Sequence, residues 1–398
     1  MATVIRGGRV ITVGKRGVIE KGVVVVDGQR IAAVGPEKDV KAPKDAVQVI
    51  DVKGRTMLPG MIDMHTHICP FTDAETREGI NARTVTESVM RAMENLRRTT
   101  VAGITTCRDM GCKHTGIFAF RRAIDAGERV GPRILTSGAA IAMTGGHGYN
   151  SVANEADGPE GVRALAREQL RLGADVVKIM ASGGAGTWGE RVEDSQLTLA
   201  EITAGVEEAH KKGKTSASHA TYIDSVLDSL NAGIDTIEHG LILNDKCIQM
   251  MLTLDRYFVP TLEAYERIVR LGTKVYPPYF VPKAEMVVGP HKESFQAALK
   301  AGVKMAAGTD SGGHFWPMGD LALELERMVE FGMAPMAALE TATRNAADAI
   351  RRPDQLGTLE SGKLADLIVV DGNPLDDMAA MRNVWLVMKE GKVQAGGA

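Results

Sequence analysis

Two histidines one residue apart, His65 and His67, close the apolar run Leu58-Pro59-Gly60-Met61-Ile62-Asp63-Met64. Alternate residues of a strand face the same side. Both imidazoles can therefore aim at one point, as two ligands of one metal ion must. A His-x-His pair alone is a weak signal. It gains weight because Lys178, His219, His239 and Asp310 fall at the ends of later runs that also read as strands. Histidine and aspartate are residue types that ligate metal ions, so metal-dependent chemistry is open to this set.

Lys178 is the unusual member, since it interrupts the apolar strand Val176-Val177-Lys178-Ile179-Met180. An inward ammonium beside bound cations is disfavoured by desolvation and by like charge. The neutral amine left behind can react with CO2 to give a carbamate, an anion whose two oxygens can bridge two metals. A lysine that snorkels to a rim is the alternative.

Positioning these groups requires strands that all end on one side. Eight candidates run in order over 57–62, 104–109, 133–138, 175–180, 214–219, 235–239, 257–261 and 304–310. Amphipathic helical patterns separate them, such as Thr86 to Ala102, Glu160 to Leu172, Leu199 to Lys212 and Tyr222 to Ala232. Strands alternating with helices predict a parallel sheet, and this number of units has the size of a (β/α)8 TIM barrel, whose active sites lie at the C-terminal ends of the strands. The fold class is α/β, with the barrel over 57–355. Residues 1–56 alternate short apolar strands with glycine turns, and the same grammar returns in 356–398. One small β domain built from both chain ends is expected. The stretch Leu271 to His291, with four prolines, reads as irregular, either a lid or a surface loop.

The 398 residues can bury a sizeable core, and a net charge of -3 argues for neither nucleic acid nor a membrane surface. The N-terminus lacks a signal-peptide profile and no run is apolar enough to span a bilayer. Cys69, Cys107, Cys112 and Cys247 lack zinc-ribbon spacing, so thiols in a reducing cytoplasm are expected.

At this point the chain resembles a family. Leu58 to His67, Lys178, His219, Ile237-Glu238-His239-Gly240 and Gly308-Thr309-Asp310 look like the amidohydrolase superfamily, and the resemblance covers nearly the whole chain. Val177 to Gly184, Ser218-His219-Ala220 and Gly145-Gly146-His147-Gly148 are similar to its prolidase-like branch of Xaa-Pro dipeptidases and carboxypeptidases, which includes ochratoxin-type amidases. The resemblance implies that the terminal domain is a β-sandwich. It also implies two Zn2+ ions, one on His65, His67 and Asp310, the other on His219 and His239, bridged by N6-carboxylated Lys178 and a hydroxide. Asp310 would relay the proton, and the branch tends to form homo-oligomers.

On the substrate side, His147 sits in a glycine-rich loop where it can bind substrate or stabilise an oxyanion, or simply pack. The resemblance implies that the Tyr222 hydroxyl meets a terminal carboxylate, with packing as the alternative. Ser311, His314 and Trp316 can shape the pocket, and Arg191 with Gly183 to Gly189 can tune specificity. His114, His210 and His291 show no placement that argues for chemistry. The expected substrate is a small amide: a dipeptide, or an N-acyl amino acid. A mononuclear deaminase or imidazolonepropionase-like hydrolase of a cyclic amide is the alternative, because it needs the histidines and aspartate but no bridging lysine. A scaffold that has lost its metals would be expected to have lost ligands as well.

Overall fold

β-Branched residues recur through the N-terminal stretch and fit a pleated, half-buried surface. The computed structural model describes residues 2–41, 43, 46, 48–69, 85–312 and 316–397, with 85–88 as backbone only. Five strands come first: β1 (Ala2–Ile11), β2 (Val18–Asp27), β3 (Arg30–Pro36), β4 (Gln48–Asp51) and β5 (Thr56–Pro59). The sequence read 57–62 as one strand, but the chain breaks at Gly60. β6 (Met61–Thr66) then enters a different sheet. The break needs glycine, since a Cβ there would lie 2.3 Å from Thr105 Oγ1.

β6, β7 (Ile104–Asp109) and β8 (Arg133–Thr136) form a parallel three-stranded sheet. A second parallel sheet holds β9 (Ala140–Ala142), β10 (Ala153–Glu155), β11 (Val176–Met180), β12 (Thr215–Ala220), β13 (Thr236–His239) and β14 (Tyr257–Val259). Its order is β10-β9-β11-β12-β13-β14. The extended segment 304–311 lies between β14 and β6. Phe258 N–H donates to Lys304 O at 2.9 Å, and Asp310 N–H donates to His65 O at 2.8 Å. Between β8 and β11 the Asp175 N–H donates to Thr136 O at 2.8 Å. β15 (Leu367–Val370), β16 (Val384–Lys389) and β17 (Lys392–Gly396) return to the first sheet, ordered β17-β16-β15-β5-β1-β2-β3 with β4 beside β1.

Helices connect the parallel strands and bury one face against them. The helix Gly158–Leu172 ends at Gly173, whose φ of 105° gives the left-handed C-cap. Leu199–Lys211 starts with a capping box between Thr198 and Glu201. The stretch read as an irregular loop or lid over 271–291 is instead mostly helical, with a 3₁₀ turn at Gly272–Lys274 and a long helix over Phe280–Ala301. Pro282 falls in that helix's first turn, where no intrahelical bond is lost. Phe280, Ala284, Val287 and His291 bury one stripe of it against Tyr265, Ile268 and Trp316, and this packing outweighs the internal Pro290. No helix among the described residues is long and apolar enough to cross a membrane.

Candidate metal centre

The parallel register sets the candidate ligands side by side. Lys178 lies opposite Ala217, Met180 opposite His219, and Ala220 opposite His239. Two residues reach inward on strained backbone: His239 has φ 70° and Asp310 has φ 59°. Non-glycine residues held in this region cost about 1–3 kcal/mol each and cluster at functional sites.

The four histidines crowd together. Ring centroids are 5.4 Å apart for His65 and His67, 4.9 Å for His65 and His239, and 4.5 Å for His219 and His239. Each has one ring nitrogen already engaged. His65 Nδ1 meets Glu238 Oε2 at 2.8 Å, His67 Nδ1 meets Gly111 O at 3.3 Å, His219 Nε2 meets Gly183 O at 3.0 Å, and His239 Nδ1 meets Thr261 Oγ1 at 2.8 Å. Such partners fix the ring orientation and leave the opposite nitrogen as the donor. Burial holds His65, His219 and His239 well below the ordinary histidine range, which keeps their imidazoles neutral as metal binding requires.

Asp310 Oδ1 lies 3.2 Å from His67 Nε2 and 3.5 Å from His65 Nε2. Burial raises this carboxyl, but the contact with His67 and the nearby Lys178 ammonium win and bring it down to about 2. His65, His67 and Asp310 together form a group able to hold a metal ion, their ligand atoms all within 4.8 Å of one another. Lys178 is 1% exposed and its Nζ has no hydrogen-bond partner among the described residues. Burial pushes the ammonium down to about 8, against the pull of Glu238 and Asp310. A buried polar atom without a partner costs roughly 1–3 kcal/mol. This one faces a cavity of about 80 Å³ lined also by His65, His67, His219, His239 and Asp310. The residues present therefore fit a metal centre.

His147 joins the same cavity, stacked on His219 with ring centroids 4.1 Å apart. Its Nδ1 is held by a short hydrogen bond to Glu190, and its backbone N–H donates to Gln196 Oε1 at 2.8 Å. The ring fits because residue 184 is glycine: a Cβ there would lie 2.5 Å from His147 Cε1. Trp316 lines the cavity, as do Tyr265, Tyr276 and Phe280. Tyr222 is not among the described residues lining it; its backbone N–H caps the following helix on Ser225 Oγ at 3.3 Å. Ser311 is buried in the strand network, its Oγ 2.6 Å from Thr309 Oγ1. Arg191 pairs with Asp194 at 3.0 Å, outside the cavity-lining set. His314 lies outside the described residues. His210 pairs with Asp235 at 2.8 Å.

Some functional groups escaped the sequence reading. Glu238 bonds His65 with one carboxylate oxygen and Arg108 Nη2 with the other, at 2.8 Å each. Both residues are buried in strands, and a charge of each sign inside apolar runs was the signal that could have paired them. Glu190 gave no such signal, because it lies in a loop 43 residues beyond His147.

The model of the amidohydrolase family matches residues 56–394. Ochratoxinase of Aspergillus niger is 29% identical over 418 aligned positions, which cover 94% of this chain and 82% of that protein. The crystal structure of a Xaa-Pro dipeptidase with bound methionine superposes with a TM-score of 0.91 at 32% identity, covering 99% of each chain. The A. niger ochratoxinase crystal structure gives 0.88 at 27% identity, covering 99% of this chain and 96% of the other. A family model spanning most of the chain, joined to a site able to hold a catalytic metal ion, makes this protein a member of the amidohydrolase family, a hydrolase of carbon–nitrogen bonds.

Proposed function

We propose that the protein is a binuclear zinc amidohydrolase that cleaves an amide or peptide bond next to a C-terminal amino acid. The observation that carries this reading is Lys178: a buried amine with no hydrogen-bond partner among the described residues, beside four oriented imidazoles and an ionised aspartate. An unmodified lysine would be a liability there. N6-carboxylated, it would supply an anionic ligand to ions held by His65, His67 and Asp310 and by His219 and His239.

Bound ions would supply a Lewis acid for the scissile carbonyl and a water of lowered pKa. The chain's own groups do the rest. Asp310 accepts the proton of the attacking water and passes it to the departing amine. His147, fixed at Nδ1 by Glu190, turns its other edge to the cavity and stabilises the oxyanion, a contribution of about 10²–10³ in rate for a well-placed donor. The buried aromatic wall excludes bulk water.

The same reading takes 57–355 as a closed eight-stranded barrel, with 1–56 and 356–398 as a β-sandwich, and assigns a cytoplasmic homo-oligomer acting on dipeptides or N-acyl amino acids, ochratoxin-type amides included. The dipeptidase and ochratoxinase likenesses support that substrate class. Metal analysis of the native protein and of Lys178→Ala tests the centre. The expected result is two zinc ions per chain falling to one or none, with amide hydrolysis reduced at least about 10³-fold, as for loss of a catalytic group. One ion in the native protein, with Lys178→Ala fully active, would instead favour the mononuclear cyclic-amide hydrolase or deaminase.

A further inference from the structure

The opposite end of the parallel strands holds a second cavity. It lies where β11 and β12 begin, with Asp175, Val176, Lys214 and Thr215 in its wall, while Lys178 and His219 further along the same strands line the cavity of the metal centre. Its volume is about 170 Å³, and a single water needs only about 10–15 Å³ of such space. Charge is spread unevenly over the wall. Arg108, Lys214, Arg351 and Arg352 line it, against the one carboxylate of Asp175. Counting the partners of these groups does not restore balance. Asp175 is shared between Arg121 at 2.6 Å and Lys214 at 3.5 Å, Asp235 between Arg351 at 3.0 Å and Arg256 at 3.5 Å, and Glu238 takes Arg108 at 2.8 Å. With Arg352, six cations meet three carboxylates.

Two of the cations have capacity to spare. The Arg352 guanidinium has neither an ion pair nor a hydrogen bond among the described residues. Arg108, 1% exposed, spends three of its five N–H groups on Met64 O, Thr236 Oγ1 and Glu238 Oε1, which leaves two for whatever enters. Arg351 sits just past the helix Arg344–Ala349 at φ 58°, a position that glycine fills at least cost. Strained non-glycine residues of this kind recur at ligand clamps. We infer that this rear cavity binds a phosphate-type dianion, either inorganic phosphate or the phosphoryl group of a small metabolite. Guanidinium forks match phosphate oxygens in shape, and three of them converge here with one ammonium. An excess of three positive charges in a half-enclosed space calls for a dianion rather than a single carboxylate. Arg108 and Arg352 donate the free N–H groups, and Lys214 and Arg351 add charge. The site stands apart from the amide-hydrolase reading and survives its failure.

Calorimetry with inorganic phosphate tests the site on the zinc-loaded protein, freed of excess metal and kept at low ionic strength. The native protein is expected to bind one phosphate per chain, at least about tenfold tighter than chloride. Arg352→Met should weaken phosphate by about 10- to 100-fold, the range for a lost hydrogen bond to a charged group. Lys214→Met should cost several-fold. Lys21→Met removes an equal charge from an exposed position on β2 and should change affinity by less than about twofold. Arg108 is left intact, because it also holds Glu238 beside His65. Metal content and melting temperature verify that each variant is loaded and folded. Glycerol phosphate in parallel separates the sources: equal affinity assigns the cavity to a phosphoryl group, and rejection of the ester assigns it to the free ion. Phosphate bound no tighter than chloride, or with affinity undiminished in Arg352→Met, would overturn the proposal; the second result is what phosphate held at the metal centre would give. An equal loss in Lys21→Met would trace the effect to net charge and overturn it as well.

Discussion

Glu238 shows how a residue outside the candidate ligand set can orient one of its members. Its two oxygens join His65 to Arg108, and Arg108 also donates to Met64 O at 2.7 Å, so one buried carboxylate ties a ligand to the strand that carries it. Glu238→Gln preserves the shape and removes the charge. The variant is expected to bind zinc about 10- to 100-fold more weakly, the usual effect of losing such an outer partner. Competition with a chelator reads the change, and unaltered affinity would mean that His65 is oriented by packing alone. The candidate ligands were legible because each falls within or at the end of an apolar run, where an imidazole, an amine or a carboxylate is hard to account for otherwise. Their supports were not. Glu190 acquires its contact with His147 only when loops distant in sequence come together, and neither spacing nor periodicity encodes that meeting.

Elements were readable wherever one period ran without interruption, as in the helix Gly158–Leu172 and in strands β7, β11 and β12. The helix Phe280–Ala301 was not, because proline was read as punctuation while the stripe through Ala284, Val287 and His291 was decisive. Segment 304–311 follows the path of a strand with few ladder bonds, so Asp310 is positioned by its contacts with His65 and His67 as much as by a sheet. Between neighbouring helices, Glu208 receives Arg167, Arg163 and Lys211 at 2.9 Å each. The hydrogen bond from Arg167, with help from the other two, holds Glu208 at about 2, below its ordinary 4.5. A depressed carboxylate stabilises the fold above its unfolded pKa, and that contribution disappears as pH falls through the folded value. Glu208→Gln should therefore be less stable than the native protein by about 1 kcal/mol at pH 7, since its partners are partly solvated. The gap should narrow below pH 4.5 and close near pH 2. Urea midpoints across that range measure it; a gap independent of pH would assign the loss to packing.

At the scale of the whole molecule, the parallel sheets and the terminal sheet are locked by a buried ion pair. Arg133 on β8 reaches Asp366 at 2.7 Å and Glu390 at 2.6 Å, its side chain 7% exposed. Arg133→Met leaves Asp366 charged and dry, a loss of about 3–5 kcal/mol. Restoring neutrality with Asp366→Asn in the same chain should recover part of that loss, and a double-mutant cycle on the melting curves isolates the pair. Additive effects would show the two residues to be energetically independent. The terminal sheet has a consequence for biosynthesis too. β5 lies between β1, made before it, and β15, made after all the parallel strands. A nascent chain emerging from the ribosome thus carries an unpaired Thr56–Pro59 edge throughout translation of the catalytic half. Until Leu367–Val370 emerges to cover it, that edge is a template for intermolecular pairing, so soluble yield hinges on how quickly the distal strands arrive or on a chaperone that shields the gap.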